Sequence, residues 1–344
     1  MTVRVAIIGA GHLGRIHARL LQEHSNARLV AVVDPLQTNR NSLANEYGCQ
    51  SWSDYRPVLP EFDAAIVATP TLFHHEVACH LLERHIHVFV EKPIATSPSQ
   101  AKEMVELARK RNCVLQVGHV ERFNPAFIVA RKKLAKPRFI TARRSSGFAF
   151  RSTDIGVVLD LMVHDLDLAL AWADSPVIEV KSTGFNVLGG HEDTAHAWLR
   201  FQSGCVATLY ADRVSPVNER SCEAIGDKQI ARLDLAAGQV NFLQPGAQWP
   251  CTNEDIQAMS TERRQEAQRE FFDRYLAVNS PTTKPTNPIL DEQTDFISAI
   301  TNGHEPQVNG EQGCRVIEVA HRILAAMQLH RWNDGDSSQW RKAG

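Results

Sequence analysis

The chain has 344 residues, 43% of them hydrophobic, and a formal charge of -2 at pH 7. That length suits two domains with a sizeable core. The near-neutral balance without a long basic block argues against nucleic acid as a partner, and no apolar run reaches the roughly 18 residues of a membrane span.

The first segment, 3–8, is apolar and runs straight into GAGHLG at 9–14. An apolar run ending in G-x-G-x-x-G reads as strand, tight turn, helix. Gly9 makes the turn, Gly11 lets backbone approach a pyrophosphate, and Gly14 lets helix and strand pack closely. N–H groups at the helix start, from His12 and Leu13 onward, then face the phosphates. A second apolar run, 29–33, ends at Asp34, where a carboxylate can hold a ribose hydroxyl. The N-terminal apolar residues are therefore read as this strand and not as a signal peptide.

Alternation continues with a helix over 13–24, a helix over 42–47, a short apolar strand at 64–68 and a helix over 73–84. A strand at 88–90, a helix over 98–111 and a strand at 114–117 complete it. Strands this uniformly apolar predict a parallel sheet covered on both faces. Ligands of such sheets sit beyond the carboxyl ends of the strands. Chemistry is therefore sought at 9–14, at Asp34, at Thr69 and Pro70, at Glu91, Lys92 and Pro93, and at 118–119.

From about 125 the texture changes. A helix is predicted at 127–134 and another at 159–172. Strands are predicted at 139–143, 177–183, 195–202, 206–210, 221–226 and 229–234, several with the alternation of a half-exposed antiparallel sheet. A charged helix over 256–278, a proline-rich loop at 279–288, closing helices at 291–300 and 312–329 and a frayed tail complete the reading. The fold class is α/β: a Rossmann-type parallel sheet in a domain spanning 1–122, then an α+β domain at 123–335 with an open, mainly antiparallel sheet. A face carrying Trp198 predicts a homo-oligomer, a dimer or tetramer.

Seven cysteines, scattered and without a C-x-x-C pair, predict reduced thiols in a cytoplasmic protein. The histidine pairs at 74, 75 and 85, 87 lack a ligand set at metal spacing, so no metal is expected. Lys92, at a strand's carboxyl end, can stabilise a developing alkoxide; the same tripeptide also suits a surface Glu–Lys pair. Asp160, His164 and Asp167 form a polar stripe on an otherwise apolar helix. They line a wet cleft, with His164 as general base, or form a buried structural pair. Arg122 and Asn124 sit at the hinge, as substrate contacts or as a linker with a helix-stop signal. Arg143, Arg144 and Arg151 hold an anionic group or form a solvated basic loop.

Taken in order, GAGHLG at 9–14, Asp34, ATPT at 68–71 with His74, EKP at 91–93, RFNP at 122–125, D-x-x-x-H at 160–164 and DFISAITNG at 295–303 resemble the glucose–fructose oxidoreductase / inositol dehydrogenase / MocA family. Met162 departs from the glycine that many members carry before the histidine. The resemblance implies NAD, with NADP less favoured, bound by Gly9, Gly11, His12, Leu13, Gly14, Asp34, Thr69, Pro70, His74, Glu91 and Lys92. It implies a catalytic set of Lys92, Asp160 and His164. A sugar or nucleotide-sugar substrate would be held by these three with Arg122, Asn124 and Arg144. GHVERFNP and LDLMVHDLDLAL look most like the branch oxidising UDP-N-acetylglucosamine at C3. An inositol or free-sugar dehydrogenase and a non-catalytic dinucleotide-binding regulator are the alternatives.

Overall fold

The structure, a computed structural model, describes residues 2–150, 155–188, 190–249 and 252–330. Arg151, Cys251 and the tail from 331 lie outside the described residues, so the readings made of them are not addressed below. The chain divides into two compact units. One holds Met1–Phe123, Val158–Asp167 and Thr286–Leu329; the other holds Asn124–Val157 and Leu168–Pro285.

The first unit is built on a six-stranded parallel sheet. Its strands are β1 Val3–Ile8, β2 Ala27–Val33, β3 Gln50–Trp52, β4 Ala64–Val67, β5 His87–Glu91 and β6 Leu115–Gly118, in the order β3-β2-β1-β4-β5-β6. The order reverses between β1 and β4, which puts the ligand crevice at their carboxyl ends. β4 is buried along its whole length, as an apolar strand covered on two faces must be. Helices α1 His12–Leu21, α2 Gln37–Tyr47, α3 His74–Glu83 and α4 Pro98–Arg111 follow the strands. Ser97 caps α4 by accepting from the Gln100 N–H, with Pro98 in its first turn. β3 was not anticipated; three residues are too few for a periodic signal.

The closing helices α9 Pro288–Asn302 and α10 Gly310–Leu329 belong to this first unit, as does Val158–Asp167, contrary to the expected division at 122. The reason is burial. Phe296 and Ile297 of α9 enter one apolar cluster with Val5, Ile7, Ile66 and Phe89. Cys314 and Ile317 of α10 enter another with Val67, Val90 and Val117. Each large apolar side chain so covered contributes about 1.5–3 kcal/mol, and a sequence cannot show which sheet collects it. Among the described residues no helix is long and apolar enough to cross a membrane.

The second unit carries α5 Pro125–Lys133, the end of α6 Val163–Ala173, and an eight-stranded sheet. Its strands are β7 Phe139–Ser145, β8 Val177–Phe185, β9 Thr194–Phe201, β10 Val206–Asp212, β11 Glu219–Ile225, β12 Ile230–Asp234, β13 Gln239–Pro245 and β14 Leu276–Asn279. The order is β14-β13-β12-β11-β7-β10-β9-β8, antiparallel throughout except where β7 meets β10. On β9, Ala195, Ala197, Leu199 and Phe201 are wholly buried. On the opposite face Trp198 is half-buried beneath the Lys181 ammonium, 5.2 Å from the ring centroid. The expected helix over 256–278 is corrected. A capping box of Thr252 and Asp255 starts α7 Asn253–Ala258, Met259 is extended, and Ser260 caps α8 Thr261–Arg269. After one π-helical turn, Phe271–Tyr275, the chain pairs with β13 as β14.

Candidate active site

At the carboxyl end of β1, Gly9 has φ +99°, a conformation that favours glycine. A Cβ there would stand 2.6 Å from the Ala68 oxygen, and one on Gly14 would stand 1.9 Å from the Gly9 oxygen. Nothing lies within 4 Å of where a Gly11 Cβ would be. Gly11 is the N-cap of α1 and supplies no side chain to its first turn, so N–H groups at that end remain for an anion. His12 is exposed and Leu13 half-buried on this turn. The loop fits a dinucleotide pyrophosphate on these observations alone.

Asp34 lies at the end of β2, 8% exposed. Its Oδ2 accepts from the Ala10 N–H and its Oδ1 from the Leu36 N–H, both at 2.8 Å. Each oxygen keeps lone pairs for ribose hydroxyls. Arg40 Nη1 donates to the Pro35 carbonyl at 3.0 Å and the Asp34 carbonyl at 3.3 Å. Leu36 and Leu72, both exposed, are apolar surface that the sequence reading missed. Their signal was position: an apolar residue two beyond Asp34 and another three beyond Thr69, where a flat base can rest. Pro70 is exposed and Thr69 half-buried in the loop after β4.

The His74 side chain is turned inward. It is 1% exposed, and its two ring nitrogens meet the Pro93 carbonyl at 2.8 Å and the Thr69 carbonyl at 2.9 Å. Burial lowers its basicity against those two hydrogen bonds. It ties the loop after β4 to the loop after β5. Glu91 is likewise turned inward, 7% exposed, with Oε1 against His17 Nε2 at 2.8 Å. Both were expected as cofactor contacts; their ring and carboxylate instead hold the loops that carry Thr69 and Lys92.

Lys92 begins the loop after β5, and its peptide bond to Pro93 is cis. Its Nζ donates to the Asp160 carbonyl at 2.7 Å and to Asp160 Oδ1 at 3.1 Å. Asp160 lies on a π-helical turn, Val158–Met162, that leads into α6, a distortion frequent at functional sites. His164 follows one turn later and is half-buried. An ammonium has three N–H donors. Asp160 engages two directions and leaves the third for a substrate oxygen. Asp160 therefore orients Lys92.

The stripe expected at 160, 164 and 167 is split. Asp167 is 1% exposed and accepts from Arg122 Nε at 2.8 Å. Arg122, 3% exposed, is the ion-pair partner of Asp167. Asn124 is also corrected. It is the N-cap of α5, accepting from the Ala126 N–H at 3.1 Å while its amide donates to the Leu235 carbonyl at 2.8 Å. The arginine cluster does not form among the described residues. Consecutive residues of a strand face opposite sides: Arg143 pairs with Glu219 at 3.0 Å on the exposed face, whereas Arg144 is 4% exposed.

Among the described residues, two sets bring three metal-type ligand atoms within 4.8 Å: His75, Cys79 and Glu103, and His17, Glu91 and Glu292. The four-residue spacing of His75 and Cys79 was legible and overlooked; Glu103 comes from α4. Burial, with Glu103 and then Glu83, pushes the Cys79 thiol up to about 12, so it is protonated here.

Residues 3–119 match a family model described as an oxidoreductase family with an NAD-binding Rossmann fold, and residues 128–232 match the GFO/IDH/MocA C-terminal domain. The chain is 29% identical over 327 residues to a UDP-N-acetylglucosamine 3-dehydrogenase of Acidithiobacillus ferrooxidans, covering 95% of this chain and 97% of that protein. The solved structure of that protein matches at a TM-score of 0.83, with 27% identity over 95% of this chain and 98% of that chain. It is 32% identical to a scyllo-inositol 2-dehydrogenase (NAD(+)) of Bacillus subtilis over 65% of this chain and 71% of that one. It is 36% identical to a 2,7-anhydro-N-acetylneuraminate hydratase of Mediterraneibacter gnavus over 93% of each.

Proposed function

The chain belongs to the GFO/IDH/MocA oxidoreductase family, and from that premise we propose that it oxidises the C3 carbinol of UDP-N-acetylglucosamine to a 3-keto sugar with NAD. The observation that carries the chemistry is the Lys92 ammonium held by Asp160, with His164 one turn further along the same helix. Gly9, Gly11, Gly14 and Asp34 would hold the cofactor, whose nicotinamide supplies the hydride acceptor when bound. Lys92 donates to the carbinol oxygen and stabilises its growing negative charge. His164 accepts the hydroxyl proton. Asp160 keeps the ammonium aimed. A regulator that only sensed the dinucleotide would have no use for this set.

The substrate assignment is supported by near-full-length similarity to the Acidithiobacillus enzyme, covering both units. With Arg143 and Arg144 on opposite faces, it draws nothing from an arginine cluster. The assay is NADH formation from UDP-N-acetylglucosamine, with a 3-aminotransferase drawing off the ketone. UDP alone should inhibit competitively, because binding energy from the remote diphosphate holds the reacting carbon in place. Inositol and free monosaccharides should be much poorer substrates. No turnover on the nucleotide sugar alongside good turnover on inositol would overturn the substrate and leave the dehydrogenase chemistry standing.

We further expect NAD to be preferred over NADP. Asp34 already accepts two backbone N–H groups and would repel a 2′-phosphate. Asp34→Ala should narrow the ratio of kcat/KM values by roughly tenfold, the equivalent of about 1.4 kcal/mol. Arg40, held through Nη1 to the Asp34 and Pro35 backbone carbonyls, keeps its place in the variant, where its positive charge is no longer offset by the carboxylate. A wild-type preference for NADP would defeat this assignment.

A further inference from the structure

Behind Lys92 lies a buried compartment of ionisable groups that the hydride-transfer chemistry does not use. Glu91 pairs in the sheet with Gly118, where a Cβ would come within 3.1 Å of Glu91 Oε2. The carboxylate fills that space. Its Oε1 meets His17 Nε2 at 2.8 Å, and its Oε2 accepts the backbone N–H of Lys92 at 3.2 Å. Gln293 of α9 places its amide nitrogen 2.7 Å from His17 Nδ1 and 3.1 Å from the His17 carbonyl. A carbonyl only accepts, so this group is the donor NH₂ and Nδ1 is the acceptor. The imidazole proton is therefore on Nε2 and is donated to Glu91.

Glu292 is 1% exposed, its carboxyl within 4.8 Å of the facing Glu91 and His17 atoms. Its Oε2 has no hydrogen-bond partner. The donors of this compartment, His17 Nε2–H and the Lys92 backbone N–H, both go to Glu91. The Lys92 ammonium goes to Asp160. Gln116 donates to the Glu292 backbone carbonyl at 2.7 Å, which leaves the carboxyl unsupported. Two buried carboxylates this close, with the available donors all on one of them, disfavour a second charge.

We propose that Glu292 is a buried, neutral carboxylic acid seated against the Glu91 carboxylate, and that it acts as a positioning residue for Lys92 through Glu91. The positioning half rests on the reading of Lys92 as catalytic; the neutral acid does not. A second negative charge at Glu292 would repel Glu91, which holds the Lys92 backbone, and so displace the ammonium. Burial and then the Glu91 charge push the Glu292 pKa well above the ordinary carboxyl value. Burial works against the Glu91 charge, and the His17 hydrogen bond, the Lys92 charge and the Lys92 backbone N–H favour it.

The titratable and charged groups on the elements packed around Glu292 are Glu91 and Lys92 at the end of β5, His12, Arg15, His17 and Arg19 on α1, and His24 just beyond its end. His119, Glu121 and Arg122 follow β6, and Asp291 and Asp295 lie on α9 itself. None places a cation on the Glu292 carboxyl among the described residues. A metal ion is disfavoured for the set His17, Glu91 and Glu292, because Nε2 carries the proton given to Glu91.

The test compares wild type with Glu292→Gln, which keeps the shape of the protonated acid. A carboxyl raised in the folded state contributes stability that is full below its unfolded value and lost as pH rises toward its folded one. The melting temperature of wild type should therefore fall behind that of Glu292→Gln by about 2 °C per pH unit as pH rises above about 5. In a Glu91→Gln background the trend should shrink, since the neighbouring charge is gone. The alkaline limb of the kcat profile should move to higher pH in Glu292→Gln. A melting difference independent of pH, or a stoichiometric metal in the purified protein, would overturn the neutral acid. An unmoved alkaline limb with the stability trend intact would overturn the positioning role. If Lys92 proves not to be catalytic, the stability measurements still decide the protonation state.

Discussion

Lys92→Ala and His164→Ala should each lower turnover by roughly 10²–10⁴-fold, the range for removal of a positioned acid–base group, while NAD still binds. The Gly9–Gly14 turn and Asp34 do not depend on either side chain. Cofactor affinity measured by calorimetry should therefore stay near wild type while kcat and kcat/KM fall together, as for an interaction made in the transition state. Asp160→Ala should cost less than Lys92→Ala. The Asp160 backbone carbonyl, 2.7 Å from Nζ, survives the substitution, and only the tether at Oδ1 is lost. Near-wild-type turnover in folded His164→Ala would mean that the proton leaves by another route.

Where the sequence read correctly, local chemistry dictated the structure. The apolar strands, the positive-φ turn at Gly9 and the close approach at Gly14 are properties of adjacent residues. Lys92 was placed at a strand end by the run before it, and Asp160 and His164 by helical spacing. The misreadings share another cause: spacing says which residues are near, not which way a side chain turns. Glu91 was read as facing the cofactor and faces His17. Asn124 was read at a substrate hinge and caps α5. His17 and Glu292 are 275 positions apart, and no local pattern joins them. The same holds for α9 and α10, whose apolar faces return to a sheet begun near the N-terminus.

Arg122 separates a structural role from a substrate contact most sharply. Its side chain is 3% exposed and that of its partner Asp167 1%, so the pair is fully desolvated. Removing one member of a buried pair leaves an uncompensated charge and costs about 3–5 kcal/mol. Arg122→Ala should therefore lower the melting temperature by on the order of 10 °C. A substrate contact would instead raise KM at unchanged stability. The Arg122 carbonyl is held by Gln307 Nε2 at 2.9 Å, so the backbone there retains a tether and the effect is assignable to the guanidinium. His119 gives the loss a pH dependence. Burial lowers its basicity first, the Asp167 charge raises it, and Arg122 lowers it again. Without Arg122 the imidazole gains basicity and can become the cation that Asp167 lacks. A folded value less depressed than in wild type means that protonating His119 as pH falls costs the variant less stability than it costs wild type. The deficit of Arg122→Ala should accordingly narrow on acidification and widen toward alkaline pH. Adding Asp167→Asn should recover most of the loss, because the orphaned charge is gone, and should flatten the pH trend. A deficit no larger than the ~1 kcal/mol of a surface pair, coupled to a raised KM, would return Arg122 to the substrate.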